Sequence, residues 1–146
     1  MWVGSDCQPP GVDLGRASQF LRYRDPVYLT TTRDAIYLQW NYNFQCVGDA
    51  SGSHDMYWLT GSGWYRGSHY TYPLDYDFNG YWVRGKGNSF YYNSSFPGCG
   101  ETVYANHSKN EVYGISDGKA GFSWDLYLLG SNCQTWLTPV IEQENY

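Results

Sequence analysis

The stretch Phe122-Ser123-Trp124-Asp125-Leu126-Tyr127-Leu128 alternates large apolar side chains with polar or amphipathic ones. A period of two marks a β-strand, because a helix repeats its faces every 3.6 residues. Trp124, Leu126 and Leu128 share one face, and Ser123, Asp125 and Tyr127 share the other; the alternation leaves open which face is the interior. Runs of the same β-type composition recur upstream, at 27–33, 40–47, 56–60, 64–72, 81–84, 89–93, 101–105 and 112–115. Short strands at regular spacing, separated by Gly, Ser, Asn and Asp clusters, predict an all-β sandwich or barrel.

The connections Asp49-Ala50-Ser51-Gly52-Ser53, Gly61-Ser62-Gly63, Gly85-Lys86-Gly87-Asn88 and Asp117-Gly118-Lys119-Ala120-Gly121 are of hairpin size, so neighbouring strands are expected to pair in sequence order. Eight or nine antiparallel strands in such a meander close into an up-and-down barrel with room for one small ligand. Ahead of them, Leu14, Ala17 and Leu21 fall on one helical face, with Asp13 placed to cap and Pro26 to terminate, which predicts a short helix over 12–23. The chain is thus read as one domain over 1–146: an N-terminal arm with a short helix (1–26), the barrel (27–129) and a C-terminal segment (130–146).

With 146 residues there is enough chain for one core. Aromatics make up 20% and charged residues 16%, including 16 Tyr and 7 Trp, a composition that argues against disorder. The net charge of -5 with no basic run disfavours nucleic acid and anionic membrane as partners. No apolar stretch is long enough to span a bilayer. The start Met1-Trp2-Val3-Gly4 lacks an apolar signal core, so a signal peptide is expected to have been removed already.

Cys7, Cys46, Cys99 and Cys133 form an even, widely spaced set without C-x-x-C or nearby His, which favours two disulfides over a metal site. The sequons Asn93-Ser94-Ser95 and Asn106-His107-Ser108 indicate the same oxidising compartment, so the protein is expected to be secreted. A glycosylated Asn93 must point outward, and alternation then sends Phe90 and Tyr92 inward.

Three motifs are weighed and set aside. Gly114-Ile115-Ser116-Asp117-Gly118 matches the nucleophile elbow, but strand-like residues follow it where a helix is needed. Asp75-Tyr76-Asp77-Phe78-Asn79-Gly80 opens like a calcium loop, yet its twelfth position is Lys86 and no helices flank it. His54 and His69 sit between polar neighbours and His107 lies within a sequon, so all three are read as surface side chains. No enzyme, cofactor or metal is implied. The surplus of Tyr and Trp is the informative feature, since amphipathic rings suit a pocket for flat ligands.

Asp25-Pro26-Val27-Tyr28-Leu29, Phe44-Gln45-Cys46-Val47, and Trp124-Asp125-Leu126-Tyr127 ahead of Ser131-Asn132-Cys133 together resemble the lipocalins of tick saliva, over roughly 11–136. The resemblance implies an eight-stranded antiparallel lipocalin barrel. It implies a Cys99–Cys133 disulfide and, because the family's usual partner for Cys46 is missing here, a Cys7–Cys46 one. In histamine-binding members, acids and aromatic rings line the pocket; the matching positions are Trp40, Phe90, Tyr92 and Asp125, joined by Tyr127. Tyr37 stands where the family has its first acid, with Asp34 nearby, and Asp75 or Asp77 approximates the middle one.

The function so implied is a monomeric secreted protein that sequesters a small amphipathic host mediator, either a biogenic amine anchored by Asp125 or a lipid or sterol. The alternative is a japanin-like immunomodulator that acts on a host immune-cell protein through its surface.

Overall fold

A computed structural model describes residues 12–25, 30–58, 64–94, 102–129 and 138–145. Among these the chain is all-β, with strands β1 (Asp13–Asp25), β2 (Thr30–Tyr42), β3 (Val47–Trp58), β4 (Tyr65–Thr71), β5 (Asp75–Tyr76), β6 (Trp82–Asn93), β7 (Val103–Ile115), β8 (Ala120–Leu129) and β9 (Thr138–Asn145). They form two antiparallel sheets. One is ordered β3-β2-β1-β9 and the other β4-β6-β7-β8, with β5 beside β6.

Sequence neighbours do pair as β1–β2, β2–β3, β6–β7 and β7–β8. No closed barrel forms, however: among the described residues β3 is not a ladder partner of β4, nor β8 of β9. The expected C-terminal segment supplies β9, which lies antiparallel to β1.

The expected helix is replaced by β1. Its residues 15, 17, 19, 21, 23 and 25 are all buried and face the second sheet. That inner face reads Gly, Ala, Gln, Leu, Tyr, Asp, so hydropathy conceals the period of two, whereas the chance spacing of Leu14, Ala17 and Leu21 imitates a helix. Leu14 itself is exposed.

Two expected turns lie inside strands. Asp49–Ser53 belongs to β3, and Gly85–Asn88 joins two expected short runs into the single strand β6. The glycines of β6 serve close approach rather than chain reversal: a Cβ on Gly87 would meet the His54 ring at 2.5 Å, and one on Gly85 would touch Ile36 and Leu38. True reversals occur at Asn43–Cys46, where the Asn43 side chain accepts from the amides of Gln45 and Cys46, and at Ser116–Lys119, where Gly118 has φ +87°. Gly61–Gly63 lies outside the described residues.

The sheets pack face to face through two apolar clusters. Near one end Ala17, Ile36, Leu38, Trp40, Val47, Val83 and Val112 meet, and near the other Tyr23, Met56, Trp64, Tyr91, Val103 and Ala105. Leu126 and Leu128 pack onto the second cluster, which sets their face of β8 inward and leaves Asp125 and Tyr127 exposed. Trp40 is fully buried, its indole between Gly15 and Gly114 and its Nε1 donating to the Ile115 carbonyl at 3.0 Å.

Candidate functional site

Along the central strands the inward positions turn from apolar to polar, and on β1, β6 and β7 back to apolar: Ala17, Gln19 and Tyr23 on β1; Ile36, then Asp34 and Thr32, on β2; Val83, Ser89 and Tyr91 on β6; Val112, Asn110, His107 and Ala105 on β7. Stacked across the two sheets, these positions make a polar layer between the apolar clusters. A buried polar group is tolerated only when its bonds are made, and here most are.

Asp34, with no exposed surface, is the hub. Its Oδ1 accepts from Asn110 Nδ2 at 2.7 Å, and its Oδ2 accepts from Ser89 Oγ at 2.5 Å and from His54 Nε2 at 2.7 Å. A carboxylate only accepts, so Nε2 of His54 carries the proton. The other ring nitrogen, Nδ1, is 3.0 Å from Thr71 Oγ1, within hydrogen-bonding distance of that hydroxyl. Beside the hub, Gln19 donates to Asn110 Oδ1 at 2.9 Å and to the Ser123 carbonyl at 3.0 Å, while Gln143 donates to Gln19 Oε1 at 2.8 Å. The network thereby ties β1, β2 and β9 of one sheet to β6, β7 and β8 of the other.

His107 is fully buried and differs in kind. Nε2 is 3.2 Å from Thr32 Oγ1, Nδ1 has no hydrogen-bond partner among the described residues, and the ring packs between Tyr23 and Tyr91 at 5.5 Å from each. Burial, reinforced by His54 and opposed by Asp34, pulls its pKa down to about 4, so it is neutral at physiological pH.

The layer reaches solvent where β3 runs beside β4 without a ladder. A small cavity of about 60 Å³ opens there, lined by Ile36, His54, Thr71, Tyr72, Leu74 and Lys86 among others. His54 and Thr71 supply its polar groups and Ile36 and Leu74 its apolar wall. Lys86 borders the cavity from the outward phase of β6, its Nζ over the exposed Tyr72 ring at 4.8 Å. The line from hydroxyl through imidazole to buried carboxylate can orient a proton toward a bound head group.

The residues expected to cage a ligand are not brought together. Trp40 is the only one fully inside, and it fills the core. Tyr37 lies against Phe20, ring centroids 5.6 Å apart, beside Arg33 on the outer face of the first sheet. Asp75 is at the surface, paired with Arg84. Phe90 and Tyr92 face outward from β6, Tyr92 stacked on Tyr65 at 5.5 Å, and Asp125 and Tyr127 are exposed on β8.

The phase of β6 is therefore the reverse of the one expected from the sequon. Asn93 is fully buried, in step with Ser89 and Tyr91. Asn106 faces outward, and alternation from it places His107 inside, contrary to the surface expectation; the ring of His54 is buried as well. Cys46 is buried and disulfide-bonded, and Cys7, Cys99 and Cys133 lie outside the described residues.

Asp34 had a signal in the sequence: the inward series Trp40, Leu38, Ile36 continues in steps of two to it. His54, Ser89 and Asn110 had none, because nothing local marks a polar residue as inward. Searches of family models, curated proteins and solved structures find no match to this chain. What the fold and site define is the class, an antiparallel two-sheet β-protein with a polar layer through its core.

Proposed function

We propose that this chain is an extracellular, non-catalytic binding protein that takes the polar head of a small amphipathic molecule at the seam between its sheets. The cavity beside His54 and Thr71 carries the reading, because hydrogen-bonding groups and apolar walls converge there with Lys86 at the rim, and among the described residues no ladder joining β3 to β4 has to be broken to admit a ligand. The disulfide at Cys46 and the outward sequon at Asn106 support the compartment.

The charge arrangement favours an acidic or hydroxylic head, such as that of a fatty acid, over an amine. Asp75 is paired with Arg84, Asp125 lies on an outer face, and Asp34 already receives three donors, whereas an incoming ammonium would meet Lys86. The tail of such a molecule runs along the seam between β3 and β4.

Calorimetric titration with laurate, palmitate, histamine and serotonin tests this. The acids are expected to bind, and Lys86→Met to weaken them at least tenfold, about 1.4 kcal/mol. Binding of the amines alone, or acid binding indifferent to Lys86→Met and His54→Gln, overturns the reading.

A further inference from the structure

The two sequons are equivalent as sequence and opposite in the fold. Asn93 has no exposed surface and points between the sheets, in step with Tyr91 and Ser89, so a sugar on its amide would have to occupy the core. Asn106 points the other way, into an open depression of about 250 Å³ on the outer face of the second sheet, lined by Ser68, Asn88, Phe90, Asn106 and Ser108 among others.

The register adds a second observation. Asn106 is directly opposite Phe90 of β6 and directly opposite Tyr127 of β8, so it is the centre of a row with an aromatic ring on either side. Directly opposed residues share a face with Cβ atoms about 5 Å apart. Tyr104 lies farther along the same face, its ring 6.0 Å from Phe90. A pyranose presents an apolar face of C–H groups and a rim of hydroxyls; the depression offers the Phe90 ring, with Tyr127 across Asn106 on β8, for the first, and the amides and hydroxyls of Asn88, Ser68 and Ser108 for the second.

We infer that the folded protein carries a single N-glycan, on Asn106, and that its first N-acetylglucosamine lies in this depression against Phe90 and Tyr127. The transferase of the secretory pathway forms the bond from Asn106 Nδ2 to C1 of the sugar. The lipid pyrophosphate of the oligosaccharide donor leaves, and the Nδ2 proton passes to the enzyme. Asn93 stays bare in molecules that fold. The inference rests on the extracellular reading, but an added signal sequence makes site choice measurable wherever the native chain resides.

The test is secretion of the full chain from a eukaryotic host that adds high-mannose glycans. Enzymatic deglycosylation in ¹⁸O water then labels each formerly glycosylated Asn, which peptide mass spectrometry locates without any mutation. Label at Asn106 alone is expected; label at Asn93, or at neither, overturns the assignment. The seat is read separately from thermal melting, comparing protein trimmed to one N-acetylglucosamine with Asn106→Gln. The trimmed form is expected to melt about 3 °C higher, and the difference to vanish in the Phe90→Ser, Tyr127→Ser background. Equal melting in the parent chain overturns the seat.

Discussion

The ring of His54 lies over the backbone of Gly87, so close that a single methyl group there would stand 2.5 Å from two ring carbons. The ring cannot retreat cheaply, since Asp34 holds one nitrogen and Thr71 is bonded to the other. Gly87→Ala is therefore expected to break the contact with Asp34 and destabilise the fold by about 1–3 kcal/mol, the usual cost of overpacking. Urea unfolding measures this; a cost below about 0.5 kcal/mol would show that the ring moves freely.

Asp34 receives hydrogen bonds from β3, β6 and β7. Asp34→Leu leaves those donors buried without an acceptor and is expected to cost about 3–5 kcal/mol. Asp34→Asn keeps one acceptor oxygen and should cost less. Equal losses in the two variants would mean that side-chain volume, not acceptance, is what the site requires.

The low pKa of His107 makes stability depend on pH. The unfolded chain takes up a proton near the ordinary value of 6.5, whereas the folded one resists until about 4. The stability linked to this group is therefore complete above pH 6.5 and is lost as pH falls from 6.5 toward 4, by up to about 3 kcal/mol. Urea midpoints at pH 7.5, 5.5 and 4.5 should fall in step, and in His107→Gln the fall should be shallower by that share. An unchanged slope would place the pH dependence elsewhere.

Trp40 occupies the space between β1 of one sheet and β7 of the other, against Gly15 and Gly114. Gly114→Ala pushes a methyl into the indole, and the expected result is a loss of about 1–3 kcal/mol. A red shift of tryptophan emission should accompany it as the ring is displaced. Full stability with unchanged emission would contradict the packing.

The β character of the chain was legible because runs such as 122–128 alternate visibly. Strand lengths were not, since Gly85 and Gly87 look like turn residues in one dimension and are contact residues in three. The helix expected over 12–23 fails for a related reason: the buried Gln19 and Asp25 depend on partners more than a dozen residues away, Asn110 and Trp64 among them. The same non-local dependence concealed the polar layer. A Ser or an Asn acquires its meaning from what faces it across the sheets, and the inner face of β6 was inverted by assuming that every sequon lies outside.

The open seam also bears on assembly, because two sheets that do not close leave four margins where another chain could add a strand. Three are defended. The β3 margin is polar, with Asp49, Ser51, Ser53 and Asp55 exposed; β9 carries Pro139, Glu142 and Glu144; β4 is broken by a register shift between Arg66 and His69. The β8 margin instead presents Trp124 and Tyr127, 44% and 42% exposed. Self-association at high concentration is thus expected to start there, as new hydrogen-exchange protection of amides 120–129, and a solubilising change belongs on β8 before any other strand.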